Sequence, residues 1–493
     1  MGERTRRPSG LAGNRLFAVC RGVVVGCLLA VPRGVEAGGG ELMAGAAARV
    51  VNPTRPAATV GHRVPRRFTN VYQDIRVQAF ALEDASSHRL VWMGCDFCLV
   101  PGPVVDRIKQ QIREKHAIEP KAICINSSHT HSAPPLSELA TAGPEQFDPE
   151  YADFVVREAV AVVGDCLARL APAKVRYVED TCRLGINRRL GEPGRIRFGP
   201  NPEGAVDRRV QIVAAESAGD GRLIGVAVKY ACHPVTCVNV GLGSDYPGYM
   251  RRLVEDQHPG AVVVFLQGCG ANVDSQVGSS GLSSETLERL TVGFGRELAT
   301  EALKSDQPLV TLAEAFGREL AGGVRRALKK PGTRLGGPIE AEYTVIDLPM
   351  QKVPAEKYEE EAKRNTPFAG AWGKTYSGML ARGDKIPETW PYRIQAFRLG
   401  GGEAPFTLVA LDGEVFCQYG LNLGRMLQPA TTVVLGYSNG VVTYLPTAEA
   451  LVEGGYEPSA YRTFRLPGPY TGEVESMVLQ AAADLARPKP DPR

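Results

Sequence analysis

The sequence predicts an α/β fold in which mixed β-sheets are flanked by helices. Three observations lead there. Short runs rich in β-branched residues recur between residues 75 and 435, and stretches of helical spacing are interleaved with them to the end of the chain. No internal repeat is evident. Hydrophobic residues make up 44% and charged residues 23%, the balance of a soluble globular protein, and 493 residues can bury a sizeable core without disulfide staples.

Residues 1–37 read as an export leader, a signal peptide outside the fold. Arg4, Arg6, Arg7 and Arg15 form a cationic start, residues 16–31 are apolar but for Arg21, and Val35-Glu36-Ala37 fits a small-residue cleavage site. The apolar core is too short for a comfortable membrane span. Val24-Val25-Gly26-Cys27 loosely matches a lipoprotein site, a less favoured anchor. The expected location is therefore periplasmic or extracellular. Gly-rich residues 38–46 read as a flexible lead-in, and residues 47–493 as a single domain.

Within that domain, residues 75–83 alternate as a strand and residues 90–95 follow across a polar turn, a hairpin. Residues 104–116 have helical spacing, 122–125 form a short buried strand, and 149–170 a long amphipathic helix. Strands are expected at 175–178, 210–215 and 223–232, a helix at 249–257, and a fully buried strand at 261–266. Residues 283–304 and 309–329 are helical, and 331–338, rich in Gly and Pro, read as a linker or surface loop. Strands follow at 343–348, 394–399, 406–411 and 432–435, with Gly400-Gly401-Gly402 as a hairpin loop, and a helix closes the chain at 474–486.

The 57 Lys+Arg against 54 Asp+Glu leave a net charge of +3, which excludes the basic balance of a nucleic-acid-binding protein. Of 11 cysteines, Cys20 and Cys27 fall in the leader, and the remaining odd number has no regular spacing. Cys95-x-x-Cys98 reads as two small buried residues at a strand end. Cys232 and Cys237 flank a histidine and could form a bridge, the less favoured reading.

Chemistry concentrates at four places. His129 and His131 follow the strand at 122–125, and residues two apart in extended backbone project to one side. The pair suits a divalent metal, one ligand plus one hydrogen-bond donor, or two polar residues of a surface turn. His233 ends the strand at 223–232, where Pro234 stops the ladder. Residues 266–275, Leu-Gln-Gly-Cys-Gly-Ala-Asn-Val-Asp-Ser, lead from a buried strand into small and then polar residues, and their glycines permit a tight turn or close approach to a ligand. No P-loop Lys-Ser/Thr follows. Glu414 succeeds a strand and a turn, so its carboxylate can complete a His/His/Glu set. Tyr444 is either a core residue or a phenolic ligand.

Together these segments resemble the neutral (non-lysosomal) ceramidase family in its N-terminal catalytic domain. The resemblance rests on His129-Thr130-His131-Ser132, Asn187-Arg188, Cys232-His233-Pro234, Phe265-Leu266-Gln267-Gly268 through Asp274, Gly413-Glu414, and Ser438-Asn439 through Tyr444-x-x-Thr447, with Tyr456-Glu457 after it. Their order and rough spacing agree from about residue 44 to about residue 480. The resemblance implies one Zn²⁺ held by His129, His233, Glu414 and Tyr444, with His131, Arg188 and Tyr456 lining the reacting centre. It implies hydrolysis of the amide of a lipid N-acyl substrate, N-acyl sphingosine. In such a site Zn²⁺ lowers the pKa of water toward ~7 and polarises the carbonyl.

Two departures stand out. The family carries a serine in an Asp-Val-Ser-Pro context, whereas Asp274 occupies that place here and Ser275 lies one residue late. Asp274 is therefore expected to act as general base. The family's C-terminal β-sandwich, linked to lipid engagement, is expected to be missing after residue 480. Peripheral membrane contact is thus left open beside a smaller soluble N-acyl compound. The alternatives are a metal-dependent esterase or amidase for a non-lipid substrate, and a catalytically silent metal-binding relative.

Overall fold

The computed structural model describes residues 41–60, 67–138, 146–276, 283–364, 366, 368–402 and 404–488; the leader expected at 1–37 lies outside them. Three arms of sheet, each with helices on its outer face, make up the fold. The first contains β1 (Leu42–Val50), β4 (Arg76–Glu83), β5 (Arg89–Cys95) and β6 (Ile123–Ser127), after a small pair, β2 (Ala57–Ala58) and β3 (Arg67–Phe68). Helices α1 (Gly102–His116) and α2 (Pro149–Leu167) cover it. The second holds β7 (Ala171–Thr181), β10 (Arg209–Ser217), β11 (Leu223–Tyr230) and β12 (Val262–Gln267). A side sheet joins β8 (Gly185–Leu190), β9 (Arg197–Asn201) and β13 (Val273–Ser275). Its helices are α3 (Asp245–Glu255), α4 (Ser284–Phe294), α5 (Arg296–Lys304) and α6 (Pro308–Leu328).

The third arm pairs β14 (Thr333–Pro349), β15 (Thr389–Gly402), β16 (Phe406–Leu411) and β18 (Thr431–Leu435), with β17 (Glu414–Val415) against β19 (Tyr444–Leu445). Its helices are α7 (Ala355–Ala362), α8 (Ala369–Ala381), α9 (Cys417–Met426), α10 (Ala448–Glu453), α11 (Tyr456–Ser459) and α12 (Val474–Ala486). Strand β7 joins the arms into one sheet: β1 and β14 share one edge of it, at 171–173 and 175–177, while β10 runs along the other.

Alternation explains why these strands need two covers. In β4, Val77, Ala79 and Ala81 face α1 and α2, whereas Phe80 and Leu82 face the centre where the arms meet. There Trp92 packs against Phe80, Phe397 and Phe406 at 6.0–6.3 Å between ring centroids. Each arm also contains one parallel crossover: β5–α1–β6, β11–α3–β12 and β16–α9–β18. The C-terminal ends of these pairs converge, bridged at Asn126–Ser438 and Gly268–Leu435. Loops at such ends are where α/β sheets build sites.

Several expectations are corrected. Residues 42–46 are strand rather than flexible lead-in: their small side chains let α2 press on β1, and a Cβ at Gly45 would stand 2.3 Å from the Cys166 carbonyl. Residues 333–338 begin the long strand β14, where a bulge between Gly336 and Ile339 accommodates Pro338. Gly401 and Gly402 still pair with Gly336 and Leu335, so the expected hairpin loop is strand. The helix from 149 stops at Leu167 so that β7 can start at Ala171, and Gly295 (φ 91°) divides 283–304 into two helices. All nine cysteines from Cys95 to Cys417 are buried and unpaired.

Candidate active site

Strand ends deliver the first two histidines. Strand β6 stops at Ser127, and His129 adopts φ 67°, a conformation costly for a residue with a Cβ and concentrated at functional sites. The pairing with His131 is thus made by a left-handed turn, not by the strand alternation expected from sequence. The rings still meet, with centroids 4.8 Å apart and Nε2 to Nε2 at 3.2 Å. His233 follows β11, where the Tyr246 hydroxyl and Gln267 Nε2 both donate to the Cys232 carbonyl before it. Gly413 (φ 82°) turns the chain after β16, and β17 then pairs Glu414 directly with Tyr444 of β19. The glycines of 268–270 admit close packing: a Cβ at Gly270 would stand 2.8 Å from the Cys232 backbone nitrogen.

One carboxylate oxygen gathers the cluster. Glu414 Oε2 lies 3.2 Å from His129 Nε2 and 3.3 Å from His233 Nε2. Each imidazole uses its other nitrogen to donate to a carbonyl: His129 Nδ1 to Cys98 at 2.6 Å, His233 Nδ1 to Gly270 at 2.8 Å. That leaves both Nε2 lone pairs aimed inward, the arrangement of metal-binding histidines. The spacing fits a cation: tetrahedral ligands at 2.0–2.1 Å stand roughly 3.3 Å from one another. Burial opposes ionisation of Glu414, yet His129 and His233 hold its carboxyl well below the usual range. Burial also opposes protonation of His129, but Cys98 and Glu414 outweigh it and raise the imidazole. Burial and the Arg188 guanidinium push His233 down.

A second layer surrounds this set. Arg188, on β8, donates to the Tyr444 hydroxyl at 3.1 Å, to Asp274 at 3.1 Å and to Glu457 at 3.0 Å. Asp274 sits on β13, bridged to His233 through the backbone. Burial and Glu414 raise the Tyr444 hydroxyl well above its ordinary value. The Tyr456 ring lies 5.5 Å from that of Tyr444, and desolvation, then Glu414, push its hydroxyl up to about 12. Tyr456 is 43% exposed whereas the His129 and His233 side chains are 1% exposed, so the cluster opens toward Tyr456.

Neither a protein-family model nor a curated protein sequence matches the chain. Solved structures do. The crystal structure of neutral ceramidase from Pseudomonas aeruginosa superposes with a TM-score of 0.68 at 18% identity, over 92% of this chain and 77% of that one. The chain has the neutral ceramidase fold. A ceramidase complexed with C2 gives a TM-score of 0.64 at 16% identity, again over 92% and 77%.

On this ceramidase fold, the eight residues singled out from sequence lie in one side-chain cluster: His129, His131, His233, Glu414, Tyr444, Arg188, Asp274 and Tyr456. Sequence reasoning missed three neighbours. Glu457, 3% exposed, also takes Arg189 Nη1 at 2.7 Å and so anchors two adjacent guanidinium groups. The Tyr437 (φ 51°) ring lies tilted against that of His129, with centroids 4.5 Å apart, and its buried hydroxyl has no hydrogen-bond partner among the described residues. Cys98 brings its Sγ to 3.7 Å from His129 Nδ1. The signals for them are the Tyr456-Glu457 dipeptide, the Cys95-x-x-Cys98 pair and the place of Tyr437 directly before Ser438-Asn439.

Proposed function

We propose that the protein is a zinc-dependent amidohydrolase acting on an N-acyl substrate of ceramide type. The observation that carries this reading is the convergence of two Nε2 atoms on one Glu414 oxygen, with both Nδ1 atoms held by carbonyls. His129, His233, Glu414 and Tyr444 are the ligands. A divalent cation bound there supplies a Lewis acid for the amide carbonyl and lowers the pKa of water. Arg188 favours the phenolate character that ligation by Tyr444 requires, since its Nη2 donates to that oxygen. His131 and Tyr456, at the open side, donate to the oxyanion as the carbonyl carbon becomes tetrahedral, and Arg188 adds positive charge behind it. Asp274 takes the proton of the attacking water.

The ligand in the ceramidase complex named above supports a lipid N-acyl substrate. Asp274 in place of the expected serine favours direct attack by water over an acylated protein, and the same set would open an ester. The domain comprises residues 47–493 with the strand at 42–46 added. Export by residues 1–37 is part of the proposal, and no helix among the described residues is long and apolar enough to cross a membrane.

The test is metal analysis of the purified protein together with hydrolysis of N-acyl sphingosine and of an ester panel. The native chain should carry stoichiometric zinc and cleave the amide. His129→Ala and Glu414→Ala should each lose most of the metal, because a four-coordinate site tolerates loss of a ligand poorly. Unchanged metal content in both variants refutes the reading.

A further inference from the structure

Cys98, whose carbonyl holds His129 Nδ1, lies four residues before Gly102, where helix α1 begins. One face of α1 then walls two adjoining cavities. The nearer, about 510 Å³, is lined by Leu99, Val345, Trp390, Val442 and Phe464. It abuts the site, because the Phe464 ring is 6.3 Å from that of Tyr444 and Val442 is two residues from it. The farther, about 620 Å³, is lined by Lys109, Arg113 and Lys121. Asp106, Tyr343 and Arg393 belong to both walls, so the two run into each other.

The far cavity has a charge out of place. Lys109 lies among the buried residues Val105, Ile108 and Ile112 of α1 and is itself 5% exposed. Its ammonium stands 5.6 Å over the Tyr343 ring, and among the described residues it makes no ion pair. Burial pushes it down to about 8, Arg393 works in the same direction, and Cys124 and Asp106 oppose them. The acids of the two walls are Asp106, Glu114 and Asp412, and Arg393 already takes Asp106 at 2.7 Å. A buried cation without an acid partner is costly, and a ligand anion would relieve it.

We propose that this groove binds a single-chain anionic amphiphile, with its hydrocarbon chain along Leu99, Val345 and Trp390 and its anionic group at Lys109. Lys109 lies seven residues beyond Gly102, about 10 Å along the helix, a distance that a medium acyl chain spans. The inference rests on the proposed function for its meaning: the preferred substrate or product would carry an acid at the chain end remote from the scissile amide.

Binding is measured directly on the full chain, so its outcome is separate from hydrolysis. Trp92 and Trp372 are fully buried and Trp390 lines the groove, which makes Trp390 fluorescence the reporter, with calorimetry beside it. Dodecanoate should bind at least about tenfold more tightly than dodecanol. Lys109→Met should abolish that preference and leave dodecanol unchanged. Val345→Glu, at a position 48% exposed and so tolerant of the change, should weaken both ligands. Equal binding of the two ligands by the native protein, or an unchanged preference in Lys109→Met, overturns the proposal. So does binding to anionic vesicles without binding to monomeric dodecanoate, which would make the patch a membrane contact. A protein that binds dodecanoate yet hydrolyses nothing would refute the hydrolase reading alone.

Discussion

Asn126 and Gln267 exchange two hydrogen bonds: the Gln267 N–H donates to Asn126 Oδ1 at 2.7 Å, and Asn126 Nδ2 donates to the Gln267 carbonyl at 3.2 Å. The same Nδ2 donates to the Gly436 carbonyl at 2.8 Å. One fully buried amide thus imitates a strand and ties β6, β12 and the end of β18 together three residues before His129. Asn126→Leu would take the side-chain partner from the Gln267 N–H and carbonyl, while the Gly436 carbonyl would keep the Ser438 hydroxyl at 2.8 Å. A loss of about 3 kcal/mol or more in denaturant unfolding is expected, at ~1–3 kcal/mol per unsatisfied group. An unfolding midpoint that does not move would show that the ends are held by other contacts.

A second tie joins the first two arms. Arg251 on α3 grips Asp96 with both terminal nitrogens, at 2.8 and 2.6 Å, and neither side chain is more than 1% exposed. Arg251→Met strands a buried carboxylate and should cost about 3–5 kcal/mol. Asp96→Asn on top of it removes the stranded charge and keeps the acceptor for the Arg76 N–H, so the double variant should recover part of the loss. Additive losses in the two single variants would contradict a direct pair.

What the sequence made legible depended on whether the cause was local. The hairpin at 75–95, the strand at 406–411 and the helix at 474–486 carry their own periodicity, and the structure reproduces them within a residue or two. Strand β1 is invisible in Leu-Met-Ala-Gly-Ala-Ala-Ala-Arg-Val because its smallness answers to α2, a hundred residues away. The start of β14 hides likewise, since its Gly-Pro stretch is held by Asp84, whose Oδ2 accepts from the Ile339 N–H at 2.9 Å. At the site, His129 and His233 stand at apolar strand ends and could be found. Glu457 stands out in sequence only as the neighbour of Tyr456, because its role is defined by Arg188 and Arg189, some 270 residues earlier.

Under the proposed function Glu457 acts by positioning Arg188, whose Nε donates to its Oε1 at 3.0 Å. Glu457→Gln removes the charge but keeps the shape, so Arg188 should drift from Tyr444. The expected result is a fall in kcat of roughly tenfold to a hundredfold, with KM and bound metal unchanged and partial rescue by Glu457→Asp. A purely structural role would instead lower the melting temperature and leave kcat per folded molecule alone.

Asp274 and Ser275 separate the two ways of attacking an amide. Ser275 is 1% exposed and its hydroxyl faces Thr236 Oγ1 at 3.3 Å, away from the Arg188 set that Asp274 joins. Asp274→Asn should retain zinc and lose at least ~10² in turnover, whereas Ser275→Ala should keep most of it. The reverse pattern, with Ser275→Ala silent and Asp274→Asn active, would make the hydroxyl the nucleophile.

Lys109 offers a pH signature independent of any ligand. Its folded value of about 8 lies below the ordinary 10.5, so between those pH values the unfolded chain holds the proton more tightly than the native one. Native stability therefore rises through this window, and the burial cost is felt in full below pH 8. Lys109→Met should stabilise the protein by up to about 3 kcal/mol near pH 7, and the advantage should vanish above about pH 10.5. Comparing the two proteins at each pH cancels the tyrosines and cysteines that titrate in the same range. Saturating dodecanoate should shrink the difference at pH 7, because the anion supplies the partner that the fold withholds. A gap between native and variant that is the same at pH 7 and pH 10.5 would mean that the ammonium is solvated after all.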